Sequence, residues 1–125
     1  MSPLEFGKPY DPKGAKTSVL QPVIKPRSVL RRLWFKNKIV AEDGWSISFS
    51  GSSWRIDRYD YFEGGRHLVL GGEGASGMME IAIPKKLAWE DPPNEELDDQ
   101  TKSRVLENLT SALQWAGFSV GFFPD

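Results

Sequence analysis

The chain has 125 residues, with 16 Lys and Arg against 17 Asp and Glu, one His and no Cys. That length holds one hydrophobic core and leaves no room for a second, and the missing thiols exclude a disulfide framework and a thiolate metal site. A hydrophobic share of 39%, with five Trp, three Tyr and seven Phe, excludes wholesale disorder, which goes with low hydrophobicity and high net charge.

The net charge of -1 hides an uneven distribution. Residues 1–38 hold nine Lys and Arg against only Glu5 and Asp11, so the rest of the chain is acidic. Such an arm is either an electrostatic docking segment, a strand of chain lying on the domain's own acidic face, or a solvated tail. No run approaches the roughly 20 apolar residues of a membrane span, and Met1-Ser2-Pro3-Leu4-Glu5-Phe6 has no apolar signal core. A cytoplasmic protein with no membrane partner is expected.

Pro3, Pro9, Pro12, Pro22 and Pro26, with Gly7 and Gly14, deny residues 1–28 any regular element of useful length. They form a proline-rich basic arm, although Val19, Leu20, Val23 and Ile24 are apolar enough to pack on a surface in extended form. Residues 29–125 read as a single α+β domain. Its strands are predicted at Val29–Phe35, at Lys38–Glu42 and, after the Asp43-Gly44 turn, at Trp45–Phe49, whose strict alternation puts Trp45, Ile47 and Phe49 on one face. Trp54–Phe62 follows, with Trp54, Ile56 and Tyr59 or Tyr61 inward, then a hairpin turn at Glu63-Gly64-Gly65. His67–Leu70 and Met78–Ile83 come next, joined by a Gly71–Gly77 loop. Beyond Pro84, residues 85–97 read as a polar loop with Trp89 and Pro92-Pro93.

One helix is clear. Asp98 or Asp99 is the N-cap, Val105, Leu106, Leu109, Ala112, Leu113 and Ala116 recur at helical spacing, and Gly117 ends it with Phe118 placed for a hydrophobic contact. Phe118–Phe123 is a short final strand. The expected fold is an antiparallel β-meander with the C-terminal helix packed on one face.

Chemistry-bearing motifs are sparse. His67 has no nucleophile elbow of the G-x-S-x-G type to serve, so a structural strand histidine is the expectation. One histidine without cysteine makes zinc improbable, and no cofactor is expected. Gly71-Gly72-Glu73-Gly74-Ala75-Ser76-Gly77 lacks the G-K-[ST] ending of a phosphate loop and precedes a strand where a cradle needs a helix. The acids Glu90, Asp91, Glu95, Glu96, Asp98 and Asp99 do not match the spacing of a calcium loop. Asp98 and Asp99 suit the positive end of the helix dipole, and the other four are either solvated or turned to a basic partner.

Residues 78–123 also carry a resemblance. A strand ending in Ile81-Ala82-Ile83, Trp89 with Pro92-Pro93, an acidic link, a helix with Arg104, Leu106, Leu109 and Leu113, then Gly117-Phe118 and a short apolar strand resemble the C-terminal half of small immunity proteins from bacterial polymorphic toxin systems. The resemblance implies a non-enzymatic cytoplasmic inhibitor that binds a cognate toxin domain, often a nuclease. Partner contacts are then expected at Trp89, Glu90, Asp91, Glu95, Glu96, Asp98 and Asp99. Trp89 is read as an interface anchor or as a ring folded back on the helix. The rival reading is a nucleic-acid or ribonucleoprotein binder that uses the basic arm, including Lys25, Arg27, Arg31 and Arg32.

Overall fold

The computed structural model describes residues 18–33, 37–51 and 55–124. Within them lie strands β1 (Val19–Leu20), β2 (Leu30–Leu33), β3 (Lys38–Ala41), β4 (Trp45–Ser50), β5 (Ile56–Glu63), β6 (Arg66–Ala75) and β7 (Met78–Ile83), then helix α1 (Asp99–Trp115) and strand β8 (Ser119–Pro124). Trp34, Phe35 and Trp54, read above as strand residues, lie outside the described residues.

Local chemistry explains most of these boundaries. In β4, Trp45, Ile47 and Phe49 are buried while Ser46, Ser48 and Ser50 alternate to the other face. Gly64 and Gly65 have φ of 56° and 80° between the paired residues Glu63 and Arg66. Positive φ at both central residues is the two-residue turn whose twist matches that of paired strands. Ser76 and Gly77, with φ of 55° and 82°, make the same kind of turn between Ala75 and Met78. Asp98 caps α1 by accepting a 2.7 Å hydrogen bond from the Thr101 backbone N–H. The helix ends at Gly117, with φ of 104°, where the Phe118 N–H donates to the Leu113 carbonyl at 3.0 Å and the Gly117 N–H to that of Gln114 at 2.9 Å.

The strands form one sheet of eight in the order β1-β8-β7-β6-β5-β4-β3-β2. Neighbours are antiparallel except β7 and β8, which run parallel. The fold is therefore α+β, with a mostly antiparallel sheet and a C-terminal helix packed on one face. The final strand is present, but the all-antiparallel expectation is corrected at that pair. Residues 84–118 carry the chain back to the end of the sheet from which β7 started, as a parallel pair requires.

Two further corrections concern the glycines and the arm. Gly71–Gly77 is not a loop, because β6 runs through to Ala75 and only Ser76 and Gly77 turn. The glycines serve close packing. A Cβ at Gly72 meets the Glu80 carbonyl oxygen at 2.1 Å, and one at Gly74 meets the Met79 sulfur at 2.6 Å and the Tyr59 hydroxyl at 2.9 Å. Part of the arm is a sheet strand, since Val19 and Leu20 pair with Phe122 and Gly121 of β8. Residues 21–29 then run along α1, where the Gln114 side chain accepts from the Ile24 N–H at 2.8 Å and donates to the Pro22 carbonyl at 2.9 Å.

That connection reveals the sheet's shape. β1 and β2 are its two outermost strands, yet only nine residues separate them. Eight flat strands would place the outer pair about 34 Å apart, near the roughly 35 Å reach of the connection at full extension, and the route also passes over the helix. The sheet must curl around α1. Phe118, just before β8, accordingly packs edge-on against Phe49 of β4 at 5.9 Å, and the Arg32 guanidinium of β2 lies within 5.7 Å of both rings. The core fills the concave side, where Leu68, Ile81 and Val120 of the sheet meet Val105, Leu109 and Leu113 of the helix.

The glycine packing can be tested by adding a methyl group. Gly72→Ala is expected to lose about 1–3 kcal/mol, the usual cost of overpacking, because backbone must move. Gly71→Ala, whose Cβ meets nothing within 4 Å, should be neutral or slightly stabilising. Equal denaturant midpoints for the two variants would refute this account.

Candidate functional site

Residues 84–98 fold into a tongue, and sequence explains how. Pro84 ends β7, and Leu87 and Trp89 then alternate inward, 4% and 5% exposed. The Leu97 N–H donates to the Leu87 carbonyl and the Trp89 N–H to that of Glu95, both at 2.9 Å. Ala88 and Glu96 form an isolated bridge between the two limbs. The tip carries a cis Asp91-Pro92 bond, with Asn94 at φ of 66°. The tongue docks on β6. Because β7 pairs with β6 only from Gly72 to Ala75, the edge at His67 stays open, and the tongue fills it with His67 N–H to Asp91 carbonyl at 2.8 Å and Glu90 N–H to His67 carbonyl at 2.7 Å.

The expected partner residues therefore divide. Trp89 belongs to the hydrophobic core, which corrects its reading as an anchor for a partner; it plugs the tongue into the domain. Asp98 is occupied as the helix cap, which holds its carboxyl below the ordinary Asp range. Glu95 receives a two-pronged ion pair from Arg66 at 2.9 and 3.2 Å. Glu90, Asp91, Glu96 and Asp99 are exposed along the tongue and the first turn of α1. Beside them opens a polar cleft of about 320 Å³, bordered by Glu63, Arg66, Glu95, Asp98, Thr101 and Arg104. Arg104 pairs there with Glu63 at 2.6 Å, and Glu63 also accepts from the Tyr61 hydroxyl at 2.6 Å.

The expected nucleic-acid cations are dispersed. Arg31 and Arg32 are adjacent in β2 and so point to opposite faces. Arg27 lies 3.6 Å from Glu107 of the helix, and Lys25 is exposed on the connection between β1 and β2.

A second constellation escaped the sequence reading, on the convex face that the helix leaves uncovered. Arg58, Asp60 and Phe62 recur at every second position of β5, and the tight turn at Gly64-Gly65 sets His67 directly opposite Phe62. Arg58 donates to both Asp60 oxygens at 3.1 to 3.2 Å, and His67 Nε2 lies 2.8 Å from Oδ1. The His67 and Phe62 rings stack at 4.4 Å, 10° from parallel, and the Lys38 ammonium lies 5.7 Å from the Phe62 ring centre. Burial pushes the Asp60 carboxyl up, but the hydrogen bonds and charges of Arg58 and His67 outweigh it, so it ionises below the ordinary Asp range. The signal was present as strand alternation through a two-residue turn.

In a serine relay, the acid holds one imidazole nitrogen while the other meets the nucleophile. Here Asp60 holds Nε2, and among the described residues no serine hydroxyl bonds to Nδ1. Nor do three or more His, Asp or Glu side chains among the described residues gather as they would around a metal ion. No described helix is long and apolar enough to cross a membrane. No protein-family model, curated protein or solved structure matches the chain.

Two stability measurements check this geometry. Trp89→Ala should cost about 3–5 kcal/mol, as for a large core side chain; a cost under about 1 kcal/mol would mean that the tongue is not plugged by its ring. Because the folded Asp60 has a lowered pKa, its contribution is complete above the unfolded value of about 3.9 and is lost as pH falls through the lower folded value. Asp60→Asn should therefore destabilise by about 1–3 kcal/mol at pH 7 and flatten the stability curve below pH of about 4. An unchanged acid limb would contradict the assignment.

Proposed function

We propose that this chain is a non-enzymatic inhibitor of the immunity type, which acts in the cytoplasm by binding a cognate toxin domain, with a nuclease as the class that best suits its charge. The observation that carries the reading is the held shape of the acidic tongue. Glu90, Asp91 and Glu96 are exposed on a segment pinned by the buried Trp89, by its two cross-limb hydrogen bonds and by its pairing with β6. A loop fixed in advance loses little entropy on binding, so more of its contact energy appears as affinity.

Electrostatics supports the same reading. Exposed carboxylates spaced along a rigid ridge present negative charge to a basic cleft, as a phosphate backbone does, and speed encounter with it. Trp89 contributes from beneath by fixing the ridge.

Co-expression with a toxin encoded immediately upstream should yield a stable complex and protect the cells. The triple variant Glu90→Lys, Asp91→Lys, Glu96→Lys should then associate at least about tenfold more slowly, with a weaker dependence on salt and lost protection. Association and protection equal to those of the unaltered chain would overturn the proposal.

A further inference from the structure

We infer that the groove between the outer edge of β2 and the C-terminal end of α1 is a docking site for an extended protein segment in which acidic and apolar residues alternate, added to the sheet beside β2. The groove is a different surface from the tongue, and the inference does not rest on the tongue's partner.

The backbone of β2 provides the edge. Among the described residues β2 ends the sheet order, with β3 on its one paired side. The Val29 carbonyl accepts from the Glu42 N–H at 2.9 Å. In an antiparallel pair the bonded residues alternate, so Val29, Arg31 and Leu33 turn their backbone groups to β3, and those of Leu30 and Arg32 are directed to the outer edge. A strand edge of this kind takes an extended segment through main-chain hydrogen bonds. Beyond it lies the groove, of about 630 Å³, lined by Leu30, Arg31, Arg32, Trp115 and Ala116. Residues from both faces of β2 border it, so it follows the edge of the strand.

Side chains select the segment. Trp115 is 46% exposed and stands outside the core, while Leu30 and Ala116 are partly buried against it. A half-exposed tryptophan beside a strand edge gains most when a partner's apolar side chain covers it. Arg31 is exposed on the convex side, and the Arg32 guanidinium lies over Phe49 and Phe118 on the concave side. No carboxylate lines the groove. Glu42 shares a second depression with Arg31, on the β3 side, and among the described residues no carboxylate forms an ion pair with Arg31. The last carbonyls of α1 do not offset the two cations, because those of Ala112, Leu113 and Gln114 already accept from the N–H groups of Ala116, Phe118 and Gly117.

An added strand shows alternate residues to the two faces. One set meets Leu30 and Trp115 and is apolar; the other stands beside Arg31 and is acidic. The β2 of a second copy does not meet that demand, because antiparallel pairing centred on Arg31 or on Arg32 sets the arginine against its equivalent, and like charges directly opposite are destabilising.

Fluorescence anisotropy of the full chain with a labelled peptide of alternating Glu and Val, about eight residues long, tests this. Saturable binding is expected, at least about tenfold tighter than to a peptide with the same residues in two blocks or to alternating Lys and Val. Trp115→Ala should weaken it about tenfold, and Arg31→Glu should reverse the preference between the Glu and Lys peptides. Because an added strand turns only alternate amides to its neighbour, N-methylation of one set, the valines' or the glutamates', should abolish binding while the other is tolerated. Both altered residues are exposed, and thermal melting should confirm that each variant remains folded.

No saturable binding of the alternating Glu peptide would overturn the inference, as would equal affinity for the block peptide or an equal effect of the two N-methylated sets. A concentration-dependent dimer in sedimentation that is lost in Trp115→Ala would assign the groove to a second copy and overturn it too. Failure here leaves the tongue proposal standing, because that is judged by toxin binding and protection.

Discussion

One helix has to cover one face of eight strands. A helix with its side chains is about 10–12 Å across, whereas eight flat strands extend about 34 Å, so a flat version of this sheet leaves most of its apolar face wet. Curling the sheet around α1 removes the mismatch. The 17-residue helix then touches strands from both halves, and its buried row Val105, Leu109, Ala112 and Leu113 serves the whole concave side.

Much of the remaining structure follows from that curl. Gly72 and Gly74 let β6 approach β7 and the Tyr59 ring more closely than any side chain allows. Tyr59 and Tyr61 fill the concavity, and each finds a partner for its hydroxyl: Tyr59 donates to the Glu73 carbonyl at 3.2 Å, and Tyr61 to Glu63 while accepting from Asn108 at 3.0 Å. Burial raises the hydroxyl pKa of both, so they remain neutral donors. The connection from β1 to β2 runs along the helix, with Gln114 clipping it in place. What the curl leaves outside is the tongue at the open edge of β6 and the convex face with its Phe62 and His67 layer.

Local patterns were legible wherever a single element settled the outcome. The period-two pattern of Trp45, Ile47 and Phe49, the Asp98 cap, the Gly117 stop and the Gly64-Gly65 turn all lie where their residue types direct. Gly71–Gly77 was misread because glycine-rich composition signals flexibility in isolation, while here it meets a demand for close approach by β7 and Tyr59. Trp89 was ambiguous for a similar reason. An aromatic among acids looks exposed until the tongue's hydrogen bonds turn it inward. Val19 and Leu20 form a strand only because β8 offers them an edge.

By itself the sequence determined an α+β domain with one core, most strand positions, both ends of the helix and the acidity of residues 90–99. Those properties depend on side-chain period, turn preference and charge, which neighbours along the chain decide. Tertiary structure alone decided the parallel return of β8, the burial of Trp89, the dispersal of Arg27, Arg31 and Arg32, and the meeting of Lys38, Asp60, Phe62 and His67. Each depends on which strand edges pair and how the sheet bends, and those are settled by contacts between residues far apart in sequence, whose register no local pattern encodes.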